Sequence, residues 1–175
     1  MTGSPVPVIA TAGGQPGQIG ILVDDLDAAL AGFGAPAHVA PAWRIWTYGP
    51  AILREQTLRG EPAAFSMRLA LGGAGPQLEL IESLTGPSLY EEWRAEGRSG
   101  LHHVGFYVPD LRASIAEMEA AGYPLLMSGL GHGLDGTGGF AYFDTTAAIG
   151  YIVEAIEVPR ERRPPEATWP GRGAT

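Results

Sequence analysis

The chain contains no cysteine, and this absence excludes two kinds of site. A protein without thiols has neither a disulfide framework nor a thiolate metal site. Long apolar runs are also missing, since none approaches the roughly 20 residues that a membrane helix needs. Residues 1–17 lack the basic segment followed by an apolar core that a secretory signal would show. We therefore expect a cytoplasmic protein with no membrane partner.

Basic residues are few. The 11 Lys and Arg are outnumbered by 19 Asp and Glu, which gives a net charge of −8. The one basic run, from Arg160 to Arg163, is interrupted by Glu161 and lies in a proline-rich tail, where we expect it to be solvated. Because nucleic-acid phosphates require a basic surface, no nucleic-acid partner is expected.

Apolar residues make up 45% of the 175-residue chain, enough for a sizeable core in one domain or in two small modules that share it. The 26 Gly and 15 Pro fall between periodic segments and at the ends, where they predict turns. The chain is therefore expected to be globular.

An internal repeat organises the sequence. Residues 100–111 read GLHHVGFYVPDL, and residues 18–26 read QIGILVDDL. When Gln18 is aligned with His103, the following glycines, valines, aspartates and leucines fall into register. In both copies a strand leads through an Asp-containing turn into a helix. Such a repeat is stronger information about fold than any single local assignment.

The last strand of each copy also corresponds, as LELIE at 78–82 and VEAIE at 153–157. Each copy then reads strand–helix–strand–strand–strand, which predicts an α+β fold of two tandem βαβββ modules in a cupped mixed sheet. The first module carries roughly ten extra residues, placed within 49–63. The expected divisions are a flexible segment 1–17, a module 18–83, a connector 84–100 with a short helix capped by Ser88, a module 101–158 and a tail 159–175.

Two carboxylates stand where these final strands should be apolar. Side chains alternate along a strand, so Glu79 and Glu154 each share a face with apolar neighbours. A buried carboxylate costs several kcal/mol unless it is paired or bound to metal. One divalent cation between the modules explains both, with His103 and Gln18 supplying an imidazole and an amide oxygen.

The GLHHVGF segment followed by PDL resembles the second module of methylmalonyl-CoA epimerases, and residues 18–158 resemble the vicinal oxygen chelate superfamily. That superfamily includes glyoxalase I, extradiol dioxygenases and bleomycin- and fosfomycin-resistance proteins. The resemblance implies paired βαβββ modules around one metal, a homodimer, and ligands from the first and last strand of each module. These positions hold Gln18, Glu79, His103 and Glu154, a set like that of animal glyoxalase I.

Four positions differ from particular members of the superfamily. Leu22 and Ser83 stand where glyoxalase I has the Arg and Asn that bind glutathione, which argues against a glutathione substrate. Arg68 stands near the Glu that epimerases use as one of two bases, which argues against two-base epimerisation. Gln18 replaces the second histidine of extradiol dioxygenases, which argues against iron-dependent ring cleavage.

The function that remains is an isomerase, epimerase or lyase acting on a small oxygenated metabolite. A divalent ion (Zn, Mn, Co, Ni or Fe(II)) would act as Lewis acid on neighbouring substrate oxygens, and Glu154 would move the proton through an enolate-like intermediate. The alternatives are a non-catalytic small-molecule binding or resistance protein of the same fold, and an iron-dependent dioxygenase.

Several further residues are candidates for the substrate pocket, although each could equally be part of the core. They are Leu22, Trp46, Tyr48, Met67, Arg68, Tyr107, His132 and Tyr142. Loop 128–139, which carries His132 and Asp135, is either a lid or an ordinary mobile loop. Strict alternation puts His102 on the face opposite His103. Gly20 and Gly105 either leave room for metal and substrate or mark strand kinks.

Overall fold

A computed structural model describes residues 6–34 and 40–171. The helices are α1 (Pro7–Thr11), α2 (Leu26–Gly34), α3 (Leu89–Ala95), α4 (Leu111–Ala120) and α5 (Thr146–Ile149). The first strands are β1 (Gln18–Val23), β2 (Trp43–Tyr48), β3 (Glu55–Leu58), β4 (Glu61–Pro62), β5 (Ser66–Gly72) and β6 (Gln77–Thr85). The later strands are β7 (Gly100–Tyr107), β8 (Leu125–Leu130), β9 (Gly139–Phe143), β10 (Ile152–Glu157) and β11 (Ala167–Trp169).

The strands form one 11-stranded mixed sheet in the order β11-β2-β5-β6-β1-β7-β10-β9-β8-β3-β4. Within each half the first strand runs parallel to the last, β1 beside β6 and β7 beside β10. The halves meet where β1 and β7 pair antiparallel. The order β2-β5-β6-β1 is mirrored by β7-β10-β9-β8, so the predicted α+β mixed sheet built from a repeat is confirmed.

The helices begin at the residues that the sequence indicates. Asp110 caps α4 by accepting a hydrogen bond of 2.9 Å from the amide of Ala113. Ser88 caps α3 by accepting one of 3.2 Å from the amide of Glu91, as predicted. These side chains satisfy amides that the first helical turn leaves free. None of the helices in the described ranges is long and apolar enough to cross a membrane.

Helices α2 and α4 each cover the outer face of their own half of the sheet. Leu26 and Leu30 of α2 pack with Trp43, and Leu111 and Met118 of α4 pack in a separate cluster. A third apolar cluster lies on the other face of the sheet and includes Phe65, Tyr90 and Tyr142. That inner face therefore carries both a core and, beside it, the candidate site.

The segment 49–63, left without an assigned structure by its sequence, forms the hairpin β3–β4. Strand β3 pairs antiparallel with β8, the outer strand of the second half. Part of the first module thus covers an edge that would otherwise expose unpaired backbone groups.

Within the described residues, segments 6–17 and 159–171 contain regular structure where the sequence predicts flexible or solvated segments, and residues 1–5 and 172–175 of those predictions lie outside the described ranges. Residues 7–11 form α1, because proline suits the first helical turn and Val8 is buried in the cluster that includes Phe106 and Met118. At the other end, β11 pairs with β2. The carboxylate of Glu166 accepts hydrogen bonds from the amide and hydroxyl of Thr47 at 3.1 and 2.9 Å.

Candidate metal centre

The four predicted metal ligands lie on the four central strands of the sheet. Gln18 begins β1, Glu79 lies on β6, His103 on β7 and Glu154 on β10. Their exposed fractions are 5%, 6%, 0% and 3%, respectively. The structure therefore brings together in a buried position four polar residues that are up to 136 positions apart in sequence, because the repeat places equivalent strands side by side.

Two glycines leave the space that these side chains occupy. In the register of β1 with β7, Gly20 lies opposite His103 and Gly105 lies opposite Gln18. A Cβ atom at Gly20 would overlap the His103 ring, and one at Gly105 would lie 2.8 Å from Glu154 Oε2. Each glycine thus accommodates a candidate ligand from a neighbouring strand, which favours the interpretation that they leave room for the site.

Three ligand atoms converge without satisfying one another. His103 Nε2 lies 3.0 Å from Glu154 Oε2 and 3.4 Å from Glu79 Oε2, and the three groups can offer ligand atoms within 4.8 Å of one another. All three atoms are buried, and none makes a hydrogen bond of good geometry with residues 6–34 and 40–171. Buried polar atoms are normally hydrogen-bonded, so this set lacks a partner that a divalent cation would provide.

The donor chemistry also fits such an ion. Two carboxylate oxygens and one imidazole nitrogen suit Zn, Mn, Co, Ni or Fe(II), and the set does not choose among them. Gln18 adds an amide at the edge of the same cavity as Glu79 and Glu154. The side chains present are therefore compatible with a bound divalent metal.

The charges of the three groups are strongly linked. Burial opposes the positive charge of His103, but Glu154 and Glu79 outweigh burial and raise the pKa of His103 to about 9. Burial raises the pKa of Glu154, because the loss of hydration outweighs the attraction of His103. In the metal-free protein the imidazole therefore carries a proton near neutral pH, and a metal has to displace it.

His102 does not face the opposite side of the sheet, and the prediction from strict alternation is wrong. Gly20 pairs with His103 and Ile21 pairs with Leu101, so His102 occupies a bulge without a partner on β1. A bulge redirects side chains, and the two imidazoles meet with their Nδ1 atoms 3.0 Å apart.

The contact between the imidazoles orients the His103 ring and determines which of its nitrogens faces the carboxylates. Burial holds the pKa of His102 well below its usual value, so this ring is neutral. If His103 donates its Nδ1–H to His102 Nδ1, then His103 Nε2 is left free to bind a cation. His102 itself packs against the ring of Trp93, with 4.6 Å between centroids.

Two tyrosines stand behind the carboxylates. Tyr142 on β9 is the cross-strand neighbour of Glu154, and its hydroxyl lies 2.9 Å from that of Tyr90 on α3. Burial and the charge of Glu154 hold the pKa of Tyr142 well above its usual value, so it stays a protonated donor. Tyr90 was missed by the sequence reasoning, because it belongs to the connector and not to the repeat. Its only signal is the apolar face of a helix capped by Ser88.

A cavity of about 90 Å³ opens beside the candidate ligands. Of the eight predicted pocket residues, Tyr48, Met67, His132 and Tyr142 line it. Residues that line it without having been predicted come from the strand faces around the ligands. They are Leu69, Leu71, Tyr90, Gly139, Phe140 and Ile156.

The other four predicted pocket residues do not line this cavity. Leu22 is buried in the apolar cluster on the inner face, and Trp46 lies in the same cluster. Arg68 points to the outer face, where it forms an ion pair of 2.8 Å with Asp27. Tyr107 is 40% exposed, and its ring lies against Gly17. Arg68 was misplaced because it was chosen for its position near the epimerase glutamate, whereas alternation with Met67 and Leu69 turns it to the other face. Tyr107 was misplaced because alternation gives the face of a strand but not the limits of the cavity along it.

Loop 128–139 is partly strand, since β8 ends at Leu130 and β9 begins at Gly139. The intervening residues bring the His132 ring against Tyr48, with 5.4 Å between centroids. Asp135 does not enter the cavity. Its carboxylate accepts hydrogen bonds from Thr137 and Arg160.

Comparison with known families agrees with this geometry. The family profile of the glyoxalase/bleomycin resistance protein/dioxygenase superfamily matches residues 9–143, well over half of the chain. The chain belongs to this superfamily. The match contains Gln18, Glu79 and His103 and ends before Glu154, which the structure places beside them. No curated protein matches the chain in sequence.

Solved structures support the fold assignment. A hypothetical protein from Bacillus halodurans is 18% identical with a TM-score of 0.54, covering 85% of this chain and 97% of its own. Methylmalonyl-CoA epimerase from Mycobacterium tuberculosis is 19% identical with a TM-score of 0.54, covering 84% and 90%. A variant of the Streptomyces coelicolor epimerase, in complex with 2-nitronate-propionyl-CoA, is 21% identical with a TM-score of 0.51, covering 82% and 96%. At these identities the likeness concerns the fold.

Proposed function

We propose that the protein is a divalent-metal-dependent isomerase, epimerase or lyase that moves a proton on a carbon next to a carbonyl group. The observation that carries this proposal is the convergence of Glu79, His103 and Glu154, whose buried ligand atoms make no hydrogen bond of good geometry with the described part of the chain. A non-catalytic binding protein has no need to keep two carboxylates and an imidazole buried in this way, given what their burial costs.

Glu79, His103 and Glu154 would hold the metal, with the amide oxygen of Gln18 as a fourth ligand. When bound, the ion supplies Lewis-acid stabilisation of negative charge on neighbouring substrate oxygens. Within the chain, His102 orients His103 through the contact between their Nδ1 atoms.

Glu154 is our candidate for the general base. Burial raises the pKa of its carboxyl group, which makes the carboxylate a better proton acceptor. It lines the cavity, and Tyr142 stands beside it as a protonated donor. Glu79 has no such tyrosine as a cross-strand neighbour, since β6 sets it opposite Gly20 and Leu71. This asymmetry is why we assign the proton to Glu154.

A second carboxylate base is not offered by strand β5. Met67 and Leu69 of this strand line the cavity, whereas Arg68 is turned to the outer face with Asp27. A reaction in which one group removes and returns the proton therefore fits the site better than a two-base epimerisation. Methylmalonyl-CoA epimerases share the fold with this chain, but at 19% identity the shared fold does not imply a shared substrate.

The cavity sets the kind of substrate. Its volume of about 90 Å³ suits a small metabolite, and its walls combine apolar Met67, Leu69 and Phe140 with the hydroxyl of Tyr48. The expected substrate has two neighbouring oxygens, as in a hydroxyketone or a 2-oxo acid.

The test combines metal analysis with proton exchange. Protein purified without chelator is expected to contain about one divalent ion per chain. In D₂O the protein is expected to catalyse exchange of the hydrogen next to the carbonyl of small 2-oxo acids and hydroxyketones, and NMR measures this exchange. Glu154→Gln should keep the metal and lose exchange by at least about a hundredfold. Glu82→Gln, which changes a carboxylate on the opposite face of the sheet, is the control. A metal-free protein that binds such compounds without exchange would point to the non-catalytic alternative.

A further inference from the structure

The C-terminal segment crosses the rim of the cavity. This C-terminal strap, residues 159–169, leaves the end of β10, passes loop 131–138 and ends as β11 beside β2. The amide of Leu134 donates to the carbonyl of Glu161 at 2.9 Å. Arg163 Nε donates to the carbonyl of His132 at 3.0 Å, and Trp46 Nε1 donates to the carbonyl of Arg163 at 3.2 Å. Since His132 is a wall of the cavity, the strap lies directly at its opening.

Three arginines without a carboxylate partner lie on the strap or on the strand with which it pairs. Within residues 6–34 and 40–171, six arginines form ion pairs, namely Arg59, Arg68, Arg94, Arg98, Arg112 and Arg160. The four others are Arg44, Arg54, Arg162 and Arg163. Arg54 lies in a separate cleft with Arg112. The remaining three belong to the strap or to β2, the strand on which the strap ends.

The charges of these arginines act on the cavity wall. Burial raises the pKa of Tyr48 to about 12, an effect that Glu79 increases and that Arg163 and Arg162 oppose. Burial lowers the pKa of His132 to about 4, and Arg162 lowers it further. At neutral pH the His132 ring is therefore uncharged and cannot neutralise an anion itself. Its buried Nδ1 makes no hydrogen bond within the part of the chain that the structure describes.

The strap and β2 together carry a small excess of positive charge, since Arg44, Arg160, Arg162 and Arg163 stand against Glu161 and Glu166. The net charge of the protein is −8, and most of its arginines are neutralised by neighbours. The guanidinium groups of Arg162 and Arg44 are exposed and make no hydrogen bond to the described residues, and that of Arg163 uses only Nε. Guanidinium groups bind carboxylate and phosphate oxygens through paired hydrogen bonds. The rim is therefore equipped to receive an anion.

We propose that the substrate carries a second anionic oxygen group, a carboxylate or a phosphate, which Arg162 and Arg44 bind at the rim together with Arg163. This proposal rests on the proposed function, since it assumes that the other end of the substrate presents two neighbouring oxygens to a metal at Glu79, His103 and Glu154. It names the substrate class as a small dianion and gives the strap a part in recognition.

Matched ligands test this directly on the metal-loaded full-length protein. 2-Oxoglutarate and 2-oxoadipate are compared by calorimetry with 2-oxopentanoate and 2-oxohexanoate, which keep the 2-oxo acid but lack the distal carboxylate. 3-Phosphoglycerate is compared with glycerate in the same way for a phosphate. In at least one pair, the ligand with the second anionic group is expected to bind roughly tenfold or more tightly, as a hydrogen-bonded charge pair would give. Which pair shows the difference identifies the anion.

Substitutions assign that difference to the rim. Arg162→Gln and Arg44→Gln, singly and together, are expected to reduce the affinity ratio between the ligand with the second anionic group and its monoanionic partner toward one, while leaving the affinity for the monoanion unchanged. Arg112→Gln removes the same charge in a different cleft and should keep the preference. The proposal is overturned if the ligands with a second anionic group bind no tighter than their monoanionic partners, or if the preference survives the double substitution. Titration with metal alone separates this outcome from failure of the proposed function, in which no divalent ion binds.

Discussion

The two halves of the sheet share a backbone plan but differ in what has been added to it. Equivalent strands carry the candidate ligands, with Gln18 in the first half where His103 stands in the second and a glutamate in both final strands. The outer edges are covered reciprocally. Strand β3, from the first half, covers β8 of the second, and β11, from the C-terminal strap, covers β2 of the first. The repeat thus places the candidate ligands side by side, and the additions determine what surrounds them.

The largest expected effect on metal affinity comes from substituting His103, and the equivalent substitution of Gln18 should have a smaller one. His103→Ala removes the only imidazole that faces the carboxylates among the described residues, and we expect metal affinity to fall by at least about a hundredfold. Gln18→Ala removes a weaker, neutral amide ligand and should cost less, about tenfold. Both are measured by competition with a chelating indicator. Equal losses would show that the two halves contribute alike.

Gly20 and Gly105 offer a second way to disturb the centre. Gly20→Ala puts a Cβ where the His103 ring lies, and we expect a loss of about 1–3 kcal/mol in the free energy of unfolding together with weaker metal binding. Gly32→Ala is the matched control, because a Cβ there meets nothing and lies in α2, where alanine is preferred. Chemical denaturation measures both variants. Unchanged stability and metal binding in Gly20→Ala would contradict the packing described for this strand pair.

The His102–His103 contact exists in the second half alone, since Gly17 and Gln18 occupy the aligned positions in the first. His102→Phe preserves an aromatic ring among Trp93 and Tyr90 but removes the hydrogen-bond acceptor for His103. We expect metal affinity to fall by about 10–100-fold with little loss of stability. His102→Asn, which restores a polar acceptor, should recover part of the affinity. An affinity that is unchanged in both variants would remove His102 from the site.

The pH dependence of metal binding follows from the raised pKa of His103. The metal-free ring holds its proton below about pH 9 and loses it above that pH, so metal has to displace a proton near neutrality. We expect release of about one proton per ion, and an affinity that rises up to about tenfold per pH unit toward pH 9. Calorimetry in buffers of different ionisation enthalpy counts the protons. Binding without proton release would show that the ring is already neutral.

The smallest effect should come from the strap. Thr47→Val removes a hydroxyl that donates to Glu166, and we expect a loss of about 0.5–1.5 kcal/mol in the free energy of unfolding. Ser66→Ala is a control on the neighbouring strand, where an exposed hydroxyl bonds Thr85 away from the strap. Denaturation with and without 2-oxoglutarate shows whether the strap also contributes to ligand binding.

The sequence predicts those features of the fold and the candidate site that leave a periodic pattern, and it does not predict those that leave none. The repeat and the misplaced carboxylates at Glu79 and Glu154 were enough to predict the fold and to propose the candidate ligands, because equivalent strands must align. His102 was misplaced, since a bulge arises from the pairing of β7 with β1 and leaves no mark in alternation. The rim could not be predicted either. It depends on a strap whose proline-rich sequence has no period and on the loop that carries His132.

The metal content of the purified protein tests the central claim most directly. Elemental analysis of protein prepared without chelator measures whether the three converging side chains hold an ion. The His103→Ala variant and the double variant Glu79→Gln with Glu154→Gln are prepared and analysed in the same way. We predict about one divalent ion per chain in the natural protein and a large loss in the altered ones. A natural protein that neither contains nor takes up a divalent cation, or altered proteins that retain it in full, would contradict the account.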